Sequence, residues 1–522
     1  MYLKANSPHA TAAGKSVIGF NLVNGKEVEG DLSLIQAKSA ADHRDLVGMF
    51  PDSGEKDVAR AAKAAADAFK GWSVTSVATR EALAQRTAGI LKAHRDKLAR
   101  VVTREVGMTP REAQAEVQGA IDACVFFIAE TRRLKVRKLG GGILAHGRPV
   151  GVCGLLATGS SPLAAPFRKI LPAILCGNTV VWKPSENAPT SAYLLVRAMI
   201  EAGLPPGVVN TVNGRGRAGC GKHILAGLDK GHFQSFSFVG SAALGRTVGE
   251  LCGRNLILPS LDLAQKGVMV VMPDANLDLA VEDALQGAFA QAGQGSIGLA
   301  NILLHEACSA RFRQQFLDRV QSLEVGNPMS DPDVAFGPMI NARTATAFRE
   351  HWDLGRTEGA RLLVGGDQWN EENRTSHVKG NIGHGLYMQP CVWEGVQPSM
   401  ALFQNQVQGP TVNLSVFAEV TDTLTWLQGS PRGAVTSLYT QDRACIGRFQ
   451  RECPSDIHTL NASPNHPRSR MGFTGQGTHP GGQPVLAGFI RWQTTNVEDL
   501  VEPEATEILA PGPALRTDWD SL

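Results

Sequence analysis

From Gly151 onward, short strand-like runs alternate with helical ones, and this alternation restricts the fold more than any other feature of the chain. Gly151–Ala157, Thr179–Lys183, Val208–Val212 and Ser235–Phe238 read as strands. Between them, Leu163–Leu175 and Ala188–Ala202 read as helices, the second ended by Gly203. Strand and helix in alternation imply a parallel, doubly wound α/β sheet. A similar rhythm resumes from Val268 to about Asn461. Upstream, Val58, Ala61, Ala62, Ala65 and Phe69 form one helical stripe, with Ser53 and Asp57 as candidate caps. Helical rhythm continues over residues 79–105 and 111–131. Arg132 to His146 is basic and glycine-bearing, with Leu134, Val136 and Leu139 alternating, as in a protruding hairpin. Phe489–Gln493 is strand-like, and an acidic, proline-bearing tail from Leu500 is expected to be mobile or docked on a neighbour.

A chain of 522 residues has room for two or three domains. Its 51 basic and 49 acidic residues give no electrostatic reason to expect nucleic acid or an anionic membrane as partner. The N-terminus lacks an apolar signal-like region, and no uncharged apolar run is long enough to span a bilayer, so the cytoplasm is the expected location. The nine cysteines are scattered and form no CxxC pair, which argues against zinc and against a disulfide framework; no metal is expected. Free thiols suit a reducing compartment, with buried, inert packing as their expected role.

Three runs carry chemistry on the first α/β unit. Gly177 to Glu186 reads as a strand that delivers Lys183, Ser185 and Glu186 at its C-terminal end, where α/β sheets bind ligands. A lysine there can hydrogen-bond ribose hydroxyls, and a carboxylate can take both hydroxyls of an unphosphorylated ribose. A surface Lys/Glu pair at a strand end would look the same in isolation. Ala202 to Asn210 follows, and then Phe238 to Gly245, in which Gly240 and Ser241 open a helix whose N-terminus suits a pyrophosphate. A GxGxxG at Gly214–Gly219 has no acidic residue at the usual distance and reads as a tight turn into a helix.

In order and spacing, these runs closely resemble the coenzyme domain of aldehyde dehydrogenases, with their KPSE, AGLPxGVxN and FxGSxxxG motifs. The resemblance extends over roughly residues 18–497, through Glu105–Gly107, Arg148–Val152, Val325–Pro328, Phe336–Ile340 and Gly385–Pro390. It implies a Rossmann-type coenzyme domain (1–134 and 150–260), an α/β catalytic domain (261–470), and a small β bridging or oligomerisation element (135–149 and 484–499), with 500–522 as a tail. By the same resemblance Lys183, Ser185, Glu186, Gly240, Ser241, Gly245 and Gln406 are the NAD-binding positions, and the protein is a homodimer or homotetramer bridged by the small β element.

The catalytic positions depart from the family. Aldehyde oxidation there needs a thiolate nucleophile, an asparagine among the oxyanion donors, and a glutamate base. Leu261-Asp262-Leu263-Ala264-Gln265-Lys266 stands at the family's LELGGK, so the base position is Asp262, one methylene short, and two glycines have become Ala264 and Gln265. The nucleophile position is Ser296, since the run from Gln294 to Glu306 aligns without a gap. The oxyanion position is Ser160 in Thr158–Pro162, and the family's ExFGP has become Gln406-Val407-Gln408-Gly409-Pro410. Losing one oxyanion donor alone costs about 100- to 1,000-fold. A serine nucleophile would need a strong base of its own, and no His/Asp partner is evident.

These substitutions predict a pseudoenzyme: an aldehyde dehydrogenase scaffold kept for structure, regulation or partner binding, with a partly retained, vestigial NAD site. An active dehydrogenase or another enzyme is then the expected partner. Two alternatives are an NAD-dependent aldehyde oxidation by a non-standard route, with Asp262 as base, and a Ser296-dependent esterase.

Overall fold

The computed structural model describes residues 16–31, 33–134, 136–140, 142–405, 407–429, 435–464, 473–474, 480–481 and 483–496. Gln406 and the 500–522 tail therefore lie outside the described residues, as do the side chains of Gln265 and Lys266.

The first sheet has seven strands in the order Pro259–Leu263, Ser235–Gly240, Val152–Leu156, Thr179–Lys183, Val209–Thr211, Asn21–Val23, Lys26–Val28. The first five run parallel, and the last two add as an antiparallel edge. Its central strands are buried on both faces, as continuous apolar runs require when helices cover each side. The order reverses between Val152–Leu156 and Ser235–Gly240, which makes the C-terminal ends of those two strands the ligand crevice of a doubly wound sheet. The sheet continues past residue 260 as far as Leu263, and the chain then enters the second sheet at Gln265.

The second sheet also has seven strands, ordered Arg361–Val364, Cys391–Glu394, Thr411–Phe417, Ile297–His305, Gln265–Val271, Val435–Tyr439, Ile457–Leu460. Gln265 pairs with Ile297, so the segment after Asp262 and the segment after Ser296 enter this sheet side by side. A third sheet joins Arg137–Gly140, Ile143–Pro149 and Ile490–Asn496, with Ile490 opposite Pro149 and Asn496 opposite Ile143. Its first strand is fully exposed, and the Arg137 guanidinium lies 4.1 Å from the Trp492 ring centre. No helix among the described residues is long and apolar enough to cross a membrane.

The helices follow the sequence pattern with local corrections. Glu55–Trp72 buries Val58, Ala61, Ala62 and Ala65. Its cap residue is Gly54 rather than Ser53: Asp57 accepts from the Gly54 N–H at 3.0 Å, while the Ser53 hydroxyl accepts from Asn21 at 2.7 Å. The 79–105 stretch divides at His94 into Val77–Ala93 and Arg95–Val106, because His94 leaves helical geometry with φ −109° and ψ 20°. Pro110–Thr131 starts with a proline and a Thr109/Glu112 capping box.

Candidate active site

The crevice is flanked by the loop after Leu156, which carries Ser160, and by Gly240-Ser241 after the neighbouring strand. Lys183 ends the next strand, so the candidate coenzyme residues share one rim of the sheet. Lys183 is buried and donates to Glu186 Oε2 at 2.9 Å. Glu186 Oε1 accepts from the Gly216 N–H at 3.2 Å, which ties the glycine-rich 214–219 turn to the carboxylate. Partial burial pushes the Glu186 pKa up, but the Lys183 charge and these bonds outweigh it, and the carboxyl is held below its ordinary value. That turn leads directly into helix Cys220–Asp229, so it closes a turn into a helix as its sequence suggested. Ser185 accepts from the Asn187 N–H at 3.3 Å and stands against Gly159, where a Cβ would meet its hydroxyl at 2.7 Å. Ser241 caps helix Ala242–Arg254. Gly245 faces the packing: a Cβ there would lie 2.3 Å from the Leu263 side chain, so the glycine lets the helix sit on the edge strand.

On the catalytic side, the loop before Ser296 is held in an unusual backbone. Gln291, Ala292 and Gly293 are consecutive left-handed residues with φ of 54°, 53° and 66°. Such geometry costs on the order of 1 kcal/mol or more at a non-glycine position and persists only when surrounding contacts enforce it. Four residues do so. Glu112 accepts from the Gln291 N–H at 2.6 Å. The Gln294 side chain donates to the Gln291 and Pro338 carbonyls at 3.0 and 3.3 Å and accepts from the Ile340 N–H at 2.8 Å. Gly409 donates to the Gly293 carbonyl at 3.2 Å, and Gln408 donates to the Gln294 carbonyl at 3.5 Å. Gln408 is thus a fastening of the Ser296 loop. Gln406, two residues earlier, lies outside the described residues.

One turn beyond Glu112 on the same helix, buried Glu116 grips the other loop. Its Oε1 accepts from the Ser161 hydroxyl at 2.8 Å and from the Leu163 and Ala164 N–H groups at 2.9 and 2.7 Å. The N-terminus of helix Ala164–Leu175 is therefore already filled by a carboxylate. Helix 110–131 positions both loops through two carboxyls spaced i, i+4. Burial pushes the Glu112 pKa up, against the bonds from Gln291 and Thr109.

Of the three substituted catalytic positions, Ser160 and Ser296 line two voids that share Gln291. Ser160 lines a cavity of about 10 Å³, roughly one water, with Gln291, Gln294 and Pro338. Its hydroxyl lies 3.1 Å from that of Thr158. Ser296 lines an open groove of about 2380 Å³ between helix 110–131 and residues 282–298, together with Ser161 and Arg168. Asp262 lines neither; its carboxylate lies 4.0 Å from the buried Lys169 ammonium, which also donates to Ser260 at 3.3 Å. Burial pushes the Lys169 pKa down, and the Asp262 charge opposes that shift.

No cysteine lines either void. All nine are buried or partly buried free thiols. Burial is the leading cause of a raised pKa at every one, up to about 12 at Cys124, Cys176, Cys220 and Cys391 and to about 11 at Cys252. Among the described residues, no group of three or more His, Cys, Asp or Glu is placed to hold a metal.

Sequence reasoning missed Glu112, Glu116, Gln294, Lys169 and Arg168. Only Glu112 carried a local signal, the capping box with Thr109; Glu116 and Lys169 act on residues far away in the chain, and Gln294 reaches Pro338 and Ile340 as well as Gln291.

This crevice, its flanking loops and the second α/β sheet define an α/β architecture with a Rossmann-like sheet. The chain belongs to the aldehyde dehydrogenase family, which it matches over residues 29–485. It is 27% identical over 453 residues to α-ketoglutaric semialdehyde dehydrogenase of Bacillus subtilis, covering 85% of this chain and 89% of that protein. The crystal structure of an NAD-dependent aldehyde dehydrogenase from Sinorhizobium meliloti superposes with a TM-score of 0.86 at 25% identity, covering 94% of this chain and 97% of the other. At 22% identity, a Thermus 1-pyrroline-5-carboxylate dehydrogenase solved with bound NAD shares the fold, with a TM-score of 0.84 over 92% of this chain and 93% of that one.

Proposed function

We propose that this protein is a pseudoenzyme of the aldehyde dehydrogenase family, one that keeps the scaffold and coenzyme crevice to bind a ligand or partner and no longer makes a thioester. The observation that carries this reading is the state of the thiols: a serine stands in the groove, and all nine cysteines lie elsewhere with raised pKa values. A neutral thiol is a poor nucleophile, and a serine hydroxyl is poorer still without a base. The engagement of Asp262 with Lys169, away from the groove lining, supports the same reading.

NAD remains a fitting ligand. Lys183 and Glu186 would hold the adenine ribose, and the helix opened by Gly240 and Ser241 would face the pyrophosphate. Both Glu186 oxygens are already engaged, by Lys183 and Gly216, so ribose would have to share or replace those bonds; a weak, vestigial site is the expectation. When bound, NAD supplies a hydride acceptor. The reading takes the third sheet as the bridging element of a homodimer or homotetramer, with an active dehydrogenase or another enzyme as further partner, in the cytoplasm.

Calorimetric titration of NAD⁺ and a panel of aldehydes test the proposal. The expected outcome is weak or no NAD⁺ binding and no NADH formation. Sustained NADH formation that depends on Asp262 would replace the reading with a non-standard dehydrogenase, which the intact Lys183–Glu186 pair favours. A burst with activated esters, lost in Ser296→Ala, would replace it with an esterase, which the position of Ser296 on the open groove favours.

A further inference from the structure

The third sheet carries charge of one sign on one of its faces. In an antiparallel pair, residues directly opposite each other share a face, as do alternate residues along each strand. Arg148 lies opposite Arg491 and His146 opposite Gln493, and Leu144 stands between Thr495 and Lys138. One face therefore bears Lys138, His146, Arg148 and Arg491. The other holds Arg137 against Trp492. Lys138, Arg148 and Arg491 are exposed, and among the described residues none of them forms an ion pair. Arg148 Nε donates to the neutral Gln493 side chain at 3.1 Å. No Asp or Glu occurs in residues 136–149 or 490–496. Two arginines directly opposite each other destabilise a sheet unless an anion lies between them.

The chain itself carries the complement. Asn496 pairs with Ile143 at the end of this sheet, and residues 497–507 follow. They contain Glu498, Asp499, Glu502, Glu504 and Glu507 and no Lys or Arg. We propose that this acidic segment folds back over the sheet it leaves and lays its carboxylates on Lys138, Arg148 and Arg491. The reach suffices. From Asn496 back to Arg491 is about 17 Å of strand, and from Asn496 forward to Glu502 the extended chain spans about 20 Å. Exposed ion pairs are individually weak and screened by salt. Tethering offsets this, because a segment joined directly to the sheet is present at an effective concentration on the order of millimolar. The segment neutralises the charge of the third sheet, and a free anionic partner would have to displace it. The inference goes beyond the pseudoenzyme reading, and its outcome is independent of whether the Ser296 site turns over.

The test is covalent footprinting of the full-length protein at low salt, with phenylglyoxal for arginine and acetic anhydride for lysine, read residue by residue by mass spectrometry. The comparison is a variant carrying Glu498→Gln, Asp499→Asn, Glu502→Gln, Glu504→Gln and Glu507→Gln. Lys138, Arg148 and Arg491 are expected to react about fivefold slower in the unaltered protein than in the variant, as for a face covered about four-fifths of the time. About 0.5 M NaCl is expected to abolish the protection in the unaltered chain, which keeps the test independent of how the variant folds. Arg137, on the opposite face, is the internal control and is expected to react alike in both proteins. Equal rates at Arg148 and Arg491 in the two proteins overturn the inference. So does protection that survives in the variant, or that is lost on dilution of about a hundredfold, since a second copy would then be the cover. Sedimentation of the unaltered protein with vesicles containing phosphatidylserine would show the face open to a membrane and would overturn it as well.

Discussion

The coenzyme rim and the Ser296 loop meet different standards: the rim stands at the C-terminal end of a strand of the first sheet, and the loop leads into a strand of the second. At the rim, Lys183 and Glu186 keep complementary charge in direct contact, at a strand end where the sheet itself presents them. At the loop, the backbone is fastened by Glu112, Gln294 and Gly409, yet the side chain it presents is a hydroxyl with no basic partner among the described residues. The difference separates two requirements of a site. Positioning is delivered by backbone hydrogen bonds that any side chain at 296 inherits, whereas reactivity depends on the one atom at its tip.

The comparison breaks most sharply at the thiol. Placing Ser296→Cys on the open groove is expected to add one thiol that reacts with a maleimide within minutes at neutral pH, while the nine native thiols stay slow in the folded protein. Thiol counting by mass spectrometry checks this. Equal labelling of wild type and variant would mean that the loop does not present residue 296 to solvent.

Next in size is the loop itself. A Cβ at Gly293 would lie 1.9 Å from the Gly409 carbonyl oxygen, at a φ of 66°. Gly293→Ala is expected to cost about 3 kcal/mol or more in urea unfolding, from overpacking against backbone plus strain. A cost under about 1 kcal/mol would show the loop to be loosely held. At the rim, Glu186→Gln removes the partner of a buried ammonium but from a half-exposed carboxylate, so about 1–2 kcal/mol is expected once solvent screening is counted.

Lys169 predicts a pH dependence. Its folded pKa is depressed by burial, so the unfolded chain binds more protons over the window below the ordinary ammonium value of about 10.4. Stability from this group is greatest at high pH and falls as pH drops through the window. Lys169→Met should therefore flatten the stability profile between neutral and alkaline pH; an unchanged slope would show the ammonium to be well solvated. The smallest effect belongs to Ser241→Ala, which removes a cap bond of 3.5 Å and should cost about 0.5–1 kcal/mol by thermal melting, with the rim otherwise unchanged.

Much of the fold was legible before any coordinates. Thr179–Lys183 has the same bounds in sequence pattern and in structure, and helix 110–131 was legible from its helical rhythm over 111–131. Such features depend on residues within one or two turns of each other. The division at His94 and the shift of the first cap to Gly54 were not legible, because each turns on a local dihedral or on a bond to Asn21 in another element.

By itself the sequence determined the order of strands and helices, the family, and the substitutions at Ser160, Asp262 and Ser296, since these are matters of residue identity and spacing. Only the tertiary structure decided that Ser160 and Ser296 open onto different voids, that Asp262 leans toward Lys169, and that Glu112 and Glu116 hold two loops distant in the chain. Hydrogen bonds between groups about 45 to 180 residues apart leave no periodicity to read; they exist only once the helices have packed and water has been driven from between them.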